Sequence, residues 1–296
     1  MEEEERLIQA IGINLKAGDV NMGGLNIHYV TAGTGQPLLL LHGATIGWGQ
    51  WYPNIAELAK FFSVYALDLP GSGRSTTINF RKANLDTALV EVVSEFIRRM
   101  GWQKTHVIGH STGGWIALKL AITNPAVIDK VILVNSLGFS RHVPWRYRIL
   151  SIHFLARVLS KTVMRPSREK MRGFLYSVLS DAVVLSEEFV DYFYGNVTRS
   201  PMSHPFLFIS SLLKYFRMKQ DLFLLEKLSR IENQILIVAG TDDPLIPLSK
   251  TYRAFGLFPK ARIEIFFDTG HVPSIERSQQ FNSLVVSFLT ESRMRY

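Results

Sequence analysis

The sequence predicts an α/β fold: a mostly parallel sheet flanked by helices, with a helical segment inserted past its middle. Three observations carry this expectation. Short, wholly apolar runs alternate with longer amphipathic stretches at both ends of the chain. The alternation stops from Leu137 to Arg230 and then resumes. A strand-like run ending in Val107 and Ile108 passes through Gly-His-Ser-Thr-Gly-Gly straight into a helical pattern.

The elements follow in order. MEEEERLIQAIG reads as a short amphipathic helix through Leu7, Ile8 and Ile11. LNIHYVTAG alternates as a strand after a glycine turn. PLLLLHG is wholly apolar and ends in glycine, as a buried parallel strand does. WGQWYPNIAELAKFF turns helical after Pro53, and FSVYALDLPGSGRS is a strand stopping in a loop at Gly71 and Gly73. NLDTALVEVVSEFIRRMG places Leu85, Leu89, Val92, Val93, Phe96 and Ile97 on one helical face, with Gly101 after it. VIDKVILVNS is a further buried strand. In the insertion, WRYRILSIHFLARVLSK, EFVDYFYGNV and PFLFISSLLKYFRM read as helices. QILIVAGTDDPLIP and ARIEIFFDTGH restore the strand pattern, and SIERSQQFNSLVVSFLTE closes the chain as a helix. The division expected is a core of residues 1–136 and 231–296 and a helical segment of residues 137–230.

Composition removes several function classes. The chain has no cysteine, which excludes disulfides, thiolate metal sites, iron–sulfur clusters and a cysteine nucleophile. The acidic start is unlike a signal peptide, and no apolar run has the ~18 residues a membrane span needs, so a cytoplasmic location is expected. Leu137 to Arg230 hold 15 Lys and Arg against 7 Asp and Glu, so the whole net charge of +8 resides there.

Gly109-His110-Ser111-Thr112-Gly113 matches G-x-S-x-G between a strand and a helix. Such a sharp turn lifts the serine hydroxyl to the top of the sheet, and its glycines let strand and helix approach. A serine needs a base, a group that orients the base, and oxyanion donors. The base should be a histidine in a loop after a late strand, and His271 in FFDTGHVPSIE fits. His28, His42, His106, His110, His142, His153 and His204 fit less well: His106 lies inside a strand, His110 is tied to the turn, and the last three lie in the insertion. The orienting acid is Asp243, third after Gly240 and just before Pro244, although Asp242 and Asp243 also suit an Asx turn. Asn135 is uncharged and cannot be the acid. The expected oxyanion donors are the backbone N–H groups of Thr112 and Ala44. The order Ser, Asp, His differs from the orders in the two large serine protease folds.

With LLLLHGAT, DLPGSGRS, GHSTGG, GTDDPLIP and GHVPSIE in this order, the chain closely resembles the α/β-hydrolase family over about residues 20–136 and 231–290. The resemblance implies a doubly wound, mostly parallel sheet of about eight strands, with the insertion as a helical cap over the site. It assigns the DLPGSGRS loop a chiefly structural role. Dehalogenases and epoxide hydrolases of this fold carry Asp where this chain has Ser111, and proline iminopeptidase-like members carry Gly-Gly-Ser-Trp-Gly. Carbon–carbon bond hydrolases of ring-cleavage products are similar in their serine and arginine-bearing cap, but carry Trp after the catalytic histidine where this chain has Val272. A carboxylesterase is the reading that remains, acting on a small apolar ester without cofactor or metal. A non-catalytic ligand-binding member, an acyltransferase and a perhydrolase are also compatible with the resemblance. The aromatic, basic cap suits either helices packed on the core or a basic rim that meets anionic substrates or a membrane surface. No nucleic-acid-binding motif is present.

Overall fold

The computed structural model describes residues 2–180, 185–200 and 203–291. Its first half is built from α1 (Glu2–Ile11), β1 (Lys16–Met22), β2 (Leu25–Ala32), β3 (Pro37–Leu41), α2 (Tyr52–Leu58), β4 (Ser63–Leu67), α3 (Val92–Arg99), β5 (Thr105–His110), α4 (Thr112–Thr123) and β6 (Ile128–Val134). The inserted segment supplies α5 (Trp145–Arg148), α6 (His153–Lys161), α7 (Arg168–Tyr176), α8 (Glu187–Arg199), α9 (Pro205–Leu212) and a small hairpin of β7 (Leu213–Lys214) and β8 (Arg217–Met218). The sheet then resumes with β9 (Gln234–Gly240), α10 (Leu248–Phe255), β10 (Ala261–Phe266), α11 (Pro273–Glu276) and α12 (Ser278–Thr290).

The eight large strands order as β1-β2-β4-β3-β5-β6-β9-β10. β2 runs antiparallel to both its neighbours, and every pair from β4 to β10 is parallel. The apolar runs form the centre because their side chains must be buried on both faces. Leu39, Leu41, Val107, Val131 and Leu133 point into one core, shared with residues of α3 and α4. Leu38, Leu40, Ile108, Ile132 and Val134 point into the other, shared with residues of α2 and α12. Helices on both faces make the sheet doubly wound.

Several elements depart from the sequence pattern. β1 is too polar to announce itself; as an edge strand it buries little of its surface. The predicted helix 145–161 breaks at Ile152, which is extended. The predicted helix 205–218 stops at Leu212 and turns into the β7–β8 hairpin, so the insertion is not wholly helical. The last helix breaks at Arg277, between α11 and α12. The helix before β5 starts with a π-helical turn, Asp86–Glu91. Among the described residues no helix is long and apolar enough to cross a membrane.

Candidate active site

β5 ends at His110, α4 begins at Thr112, and Ser111 stands alone between them with φ 52° and ψ −112°. L-residues rarely adopt this conformation, and holding it costs on the order of 1–3 kcal/mol. The surroundings that enforce it are glycine-dependent. A Cβ on Gly109 would lie 2.3 Å from the Gly113 carbonyl oxygen, and one on Gly113 would lie 2.2 Å from that of Leu41. These obstacles are backbone atoms and cannot rotate away. Gly113→Ala is therefore expected to lower unfolding stability by about 2–3 kcal/mol, the upper range of overpacking effects. Urea denaturation measures this, and an unchanged midpoint would contradict the close approach.

His271 follows β10, and Asp243 follows β9. Parallel pairing of these strands, Phe266 opposite Gly240, brings their C-terminal loops together. His271 Nδ1 lies 2.7 Å from Asp243 Oδ2, and both side chains are almost fully buried. The other oxygen, Oδ1, accepts the N–H groups of Leu245 at 2.7 Å and Ile246 at 3.0 Å. Asp243 thus closes the Asx turn and faces His271 at once. A carboxylate holding Nδ1–H leaves Nε2 as the basic nitrogen of the ring. Asp242, by contrast, is exposed.

The backbone of His271 is fixed by residues that the sequence pattern does not single out. Its N–H donates to the Val178 carbonyl at 2.7 Å. Its carbonyl accepts His110 Nε2 at 2.8 Å and Asn135 Nδ2 at 2.9 Å. Glu276 accepts the two flanking peptides, Gly270 N–H at Oε2 and Val272 N–H at Oε1, and its Oε2 also accepts the N–H and hydroxyl of Ser180. Glu276 stands in the GHVPSIE segment, four residues after Val272, and that short spacing is the one signal the sequence offers for it. Burial holds His110 well below the ordinary histidine range, so it serves as a neutral donor.

Ser111, Thr112, Ala44 and His271 line one cavity, with His110, Ser136, His142 and residues of the insertion such as Tyr147, Phe174 and Met218. Asp243 reaches His271 from outside that lining. The other histidines have other surroundings. Burial lowers His42 to about 4; its Nε2 accepts the Leu69 N–H at 2.9 Å. Burial also lowers His106, to about 4, and it lies 3.8 Å from Asp129. His153 meets Ser210, and His204 meets the Met164 carbonyl.

The loop after β3, which carries Ala44, is clamped on several sides. Gln50 Oε1 accepts the Gly43 N–H, Asp68 Oδ1 accepts the Trp48 N–H, and Asn196 of α8 donates to the Ile46 carbonyl. Tyr192 of α8 also donates to Asp68 Oδ1, and Asp68 Oδ2 accepts the Arg74 N–H. Behind this clamp Glu4 of α1 accepts His28 Nε2 at 2.7 Å, Trp48 Nε1 at 2.8 Å and Arg74 Nη1 at 2.7 Å. Burial alone would raise the Glu4 carboxyl, but His28, Arg74 and Trp48 outweigh it and hold the group down to about 2. For His28 burial again opposes, and Glu4, Asp68 and Asp19 raise it. Burial pushes Asp68 up to about 6. Glu4, His28 and Asp68 crowd as closely as metal ligands do, yet Glu4 already holds Arg74 and Asp68 already holds three donors.

A family model described as alpha/beta hydrolase fold matches residues 36–278. A 2-hydroxy-6-oxo-6-phenylhexa-2,4-dienoate hydrolase of Comamonas testosteroni is 26% identical over 282 residues, covering 93% of this chain and 95% of its own. A 2-hydroxy-6-oxononadienedioate/2-hydroxy-6-oxononatrienedioate hydrolase of a Pseudomonas species is 28% identical over 280 residues, covering 92% and 95%. Among solved structures, a carboxylesterase of Bacillus subtilis superposes with a TM-score of 0.74 at 20% identity, over 98% of this chain and 99% of its own. With the fold, the matched motifs and relatives of near-full length in agreement, the chain belongs to the α/β-hydrolase fold family and is a hydrolase.

Proposed function

We propose that the protein cleaves carboxylic esters with uncharged, apolar acyl groups through an acyl-enzyme. Ser111 is the nucleophile, His271 the general base and then acid, and Asp243 the group that fixes the imidazole. The Thr112 and Ala44 N–H groups receive the oxyanion. His271 takes the Ser111 proton as Oγ attacks the ester carbonyl, then protonates the departing alcohol. Water repeats the cycle on the acyl-enzyme, while Asp243 holds the tautomer and stabilises the imidazolium. In this reading residues 137–230 form the cap, and residues 1–136 with 231–296 form the core.

The observation that carries the ester reading is the charge of the cavity. Among the described residues that line it, none is Lys, Arg, Asp or Glu. His142 in the lining is lowered by burial and by the cations Arg148 and Lys250, which disfavours its protonated form. A dienoate or dienedioate carries a carboxylate at neutral pH. Placing it in such a cavity without a partner costs several kcal/mol, whereas a neutral ester pays no such penalty.

Carbon–carbon bond cleavage is the second reading, favoured by the two curated relatives at 26% and 28% identity. Side-by-side assays separate them. p-Nitrophenyl esters of graded chain length are expected to give a kcat/KM at least ~10²-fold above that of 2-hydroxy-6-oxo-6-phenylhexa-2,4-dienoate, because an unpaired buried carboxylate costs about 3 kcal/mol or more. Rapid dienoate turnover with inert esters would reverse the assignment.

A further inference from the structure

We propose that the outer face of the inserted segment, formed by α5, α6 and the tip of the β7–β8 hairpin, docks onto anionic lipid bilayers. The first observation is a set of exposed apolar side chains on adjoining elements. Trp145 is 82% exposed, Phe154 71%, Val163 63% and Tyr215 81%. Ile149, Ile152, Val158 and Phe216 are exposed beside them in the chain. The short 3-10 turn Ile149–Ser151 packs against α5, α6, α9 and β7, so these elements share one surface. The hairpin is also tied to the start of the segment, where Arg141 Nε donates to the Met218 carbonyl.

The second observation is charge. Residues 137–168 and 203–220 contain no Asp or Glu. Arg146, Arg148, Arg157, Lys161, Arg165, Lys214 and Arg217 are exposed there. On α6, Phe154 and Val158 alternate with Arg157 and Lys161, each pair four residues apart. Aromatic groups among cations, without acids, complement a surface that is apolar inside and anionic outside. An acidic protein partner would match the cations but leave the exposed Trp and Phe unexplained.

The third observation is strain at the hairpin tip. Tyr215 and Phe216 occupy the two central turn positions with φ 51° and 62°. That turn suits Asn-Gly, and two aromatic residues there are held against their preference. Lys214 lies 5.1 Å from the Tyr215 ring centroid, placing a cation beside the displayed aromatic. Of these elements, α5 and the two hairpin strands also line the Ser111 cavity, through Tyr147, Leu213 and Met218. Docking therefore sets the cavity wall against the bilayer, whichever bond the site cleaves.

The test is co-sedimentation with vesicles of phosphatidylcholine alone and of phosphatidylcholine mixed with phosphatidylglycerol, at low and high salt. Full-length protein is expected to bind the mixed vesicles at low salt, less at high salt, and the neutral vesicles weakly. The double variant Tyr215→Asn/Phe216→Gly supplies the residues this turn prefers, so it keeps the fold while removing both anchors. Combined with Trp145→Ser it is expected to cut vesicle partitioning about tenfold or more. None of the three positions lines the cavity, so hydrolysis of a soluble short-chain ester should be unchanged. Circular dichroism and an unchanged melting temperature establish that the variant is folded. Absence of wild-type binding at low salt, or equal binding by the triple variant, overturns the proposal. So does a concentration-dependent dimer in sedimentation that the triple variant loses, since the face is then a contact between copies.

Discussion

Ser111→Ala is expected to lower kcat on p-nitrophenyl butyrate by on the order of 10⁴–10⁶-fold, leaving the melting temperature close to wild type. The reason is that, among the described lining residues, no other hydroxyl stands at a strained elbow in the cavity that also holds an imidazole bound to a carboxylate. Asp243→Asn is the sharper companion. Asparagine keeps an Oδ1 to accept the Leu245 and Ile246 N–H groups, so the Asx turn survives. It replaces the acceptor facing His271 Nδ1 by an amide N–H donor, and the imidazole loses its fixed tautomer and its counter-charge. A fall of about 10⁴ in kcat is expected. Steady-state kinetics with a burst measurement on the wild type checks both. A Ser111→Ala protein that retains a tenth of the activity would remove the acyl-enzyme mechanism.

The second large effect concerns stability. Glu4→Ala is expected to cost about 3–5 kcal/mol, because it leaves His28 buried without its closest counter-charge. Glu4 is 3% exposed and His28 fully buried, so water does not replace the lost partner. The pH dependence has a defined sign. Glu4 is depressed from 4.5 to about 2 on folding, so its contribution is complete above 4.5 and disappears as pH falls toward 2. His28 is raised above 6.5, so its contribution is complete below 6.5 and disappears as pH rises through the folded value. Asp68 is raised from 3.8 to about 6, so its ionisation lowers stability as pH climbs across that interval. Urea unfolding across pH 3 to 9 should therefore show wild-type stability decline at both ends, and Glu4→Ala should flatten the acid limb. A loss below about 1 kcal/mol, the range of exposed pairs, would mean that the pair is solvent-screened.

This network shows how a segment assigned no chemistry bears on the site. Asp68 of the DLPGSGRS loop holds the Trp48 N–H in the loop that carries Ala44, and Tyr192 and Asn196 bring α8 to the same place. The N-terminal helix, legible in the sequence only as amphipathic through Leu7, Ile8 and Ile11, buries Leu7 as expected. It buries Glu4 as well, which an apolar pattern cannot announce.

Residue pattern alone settles the central strands and the sharp turn at Ser111. PLLLL, THVIGH and QILIVAG must be buried on both faces, and Gly109 and Gly113 are demanded by backbone contacts within a few residues of Ser111 or on the adjoining strand. Pattern also marks Asp243 and His271, because parallel strands bring the residues after their C-terminal ends to one edge. The remaining features arise only when the chain is assembled. Glu276, Asn135 and His110 converge on the backbone of His271 from a helix and two strand ends. Such hydrogen bonds depend on distance in space, and neither residue type nor periodicity encodes them. The insertion is legible as helices but not in its breaks at Ile152 and Leu212, since local pattern does not say where a helix must turn to close over a cavity. Nor does pattern separate the apolar residues that line the cavity from those that face outward, because both satisfy the same amphipathic rule and only the packing partner distinguishes them.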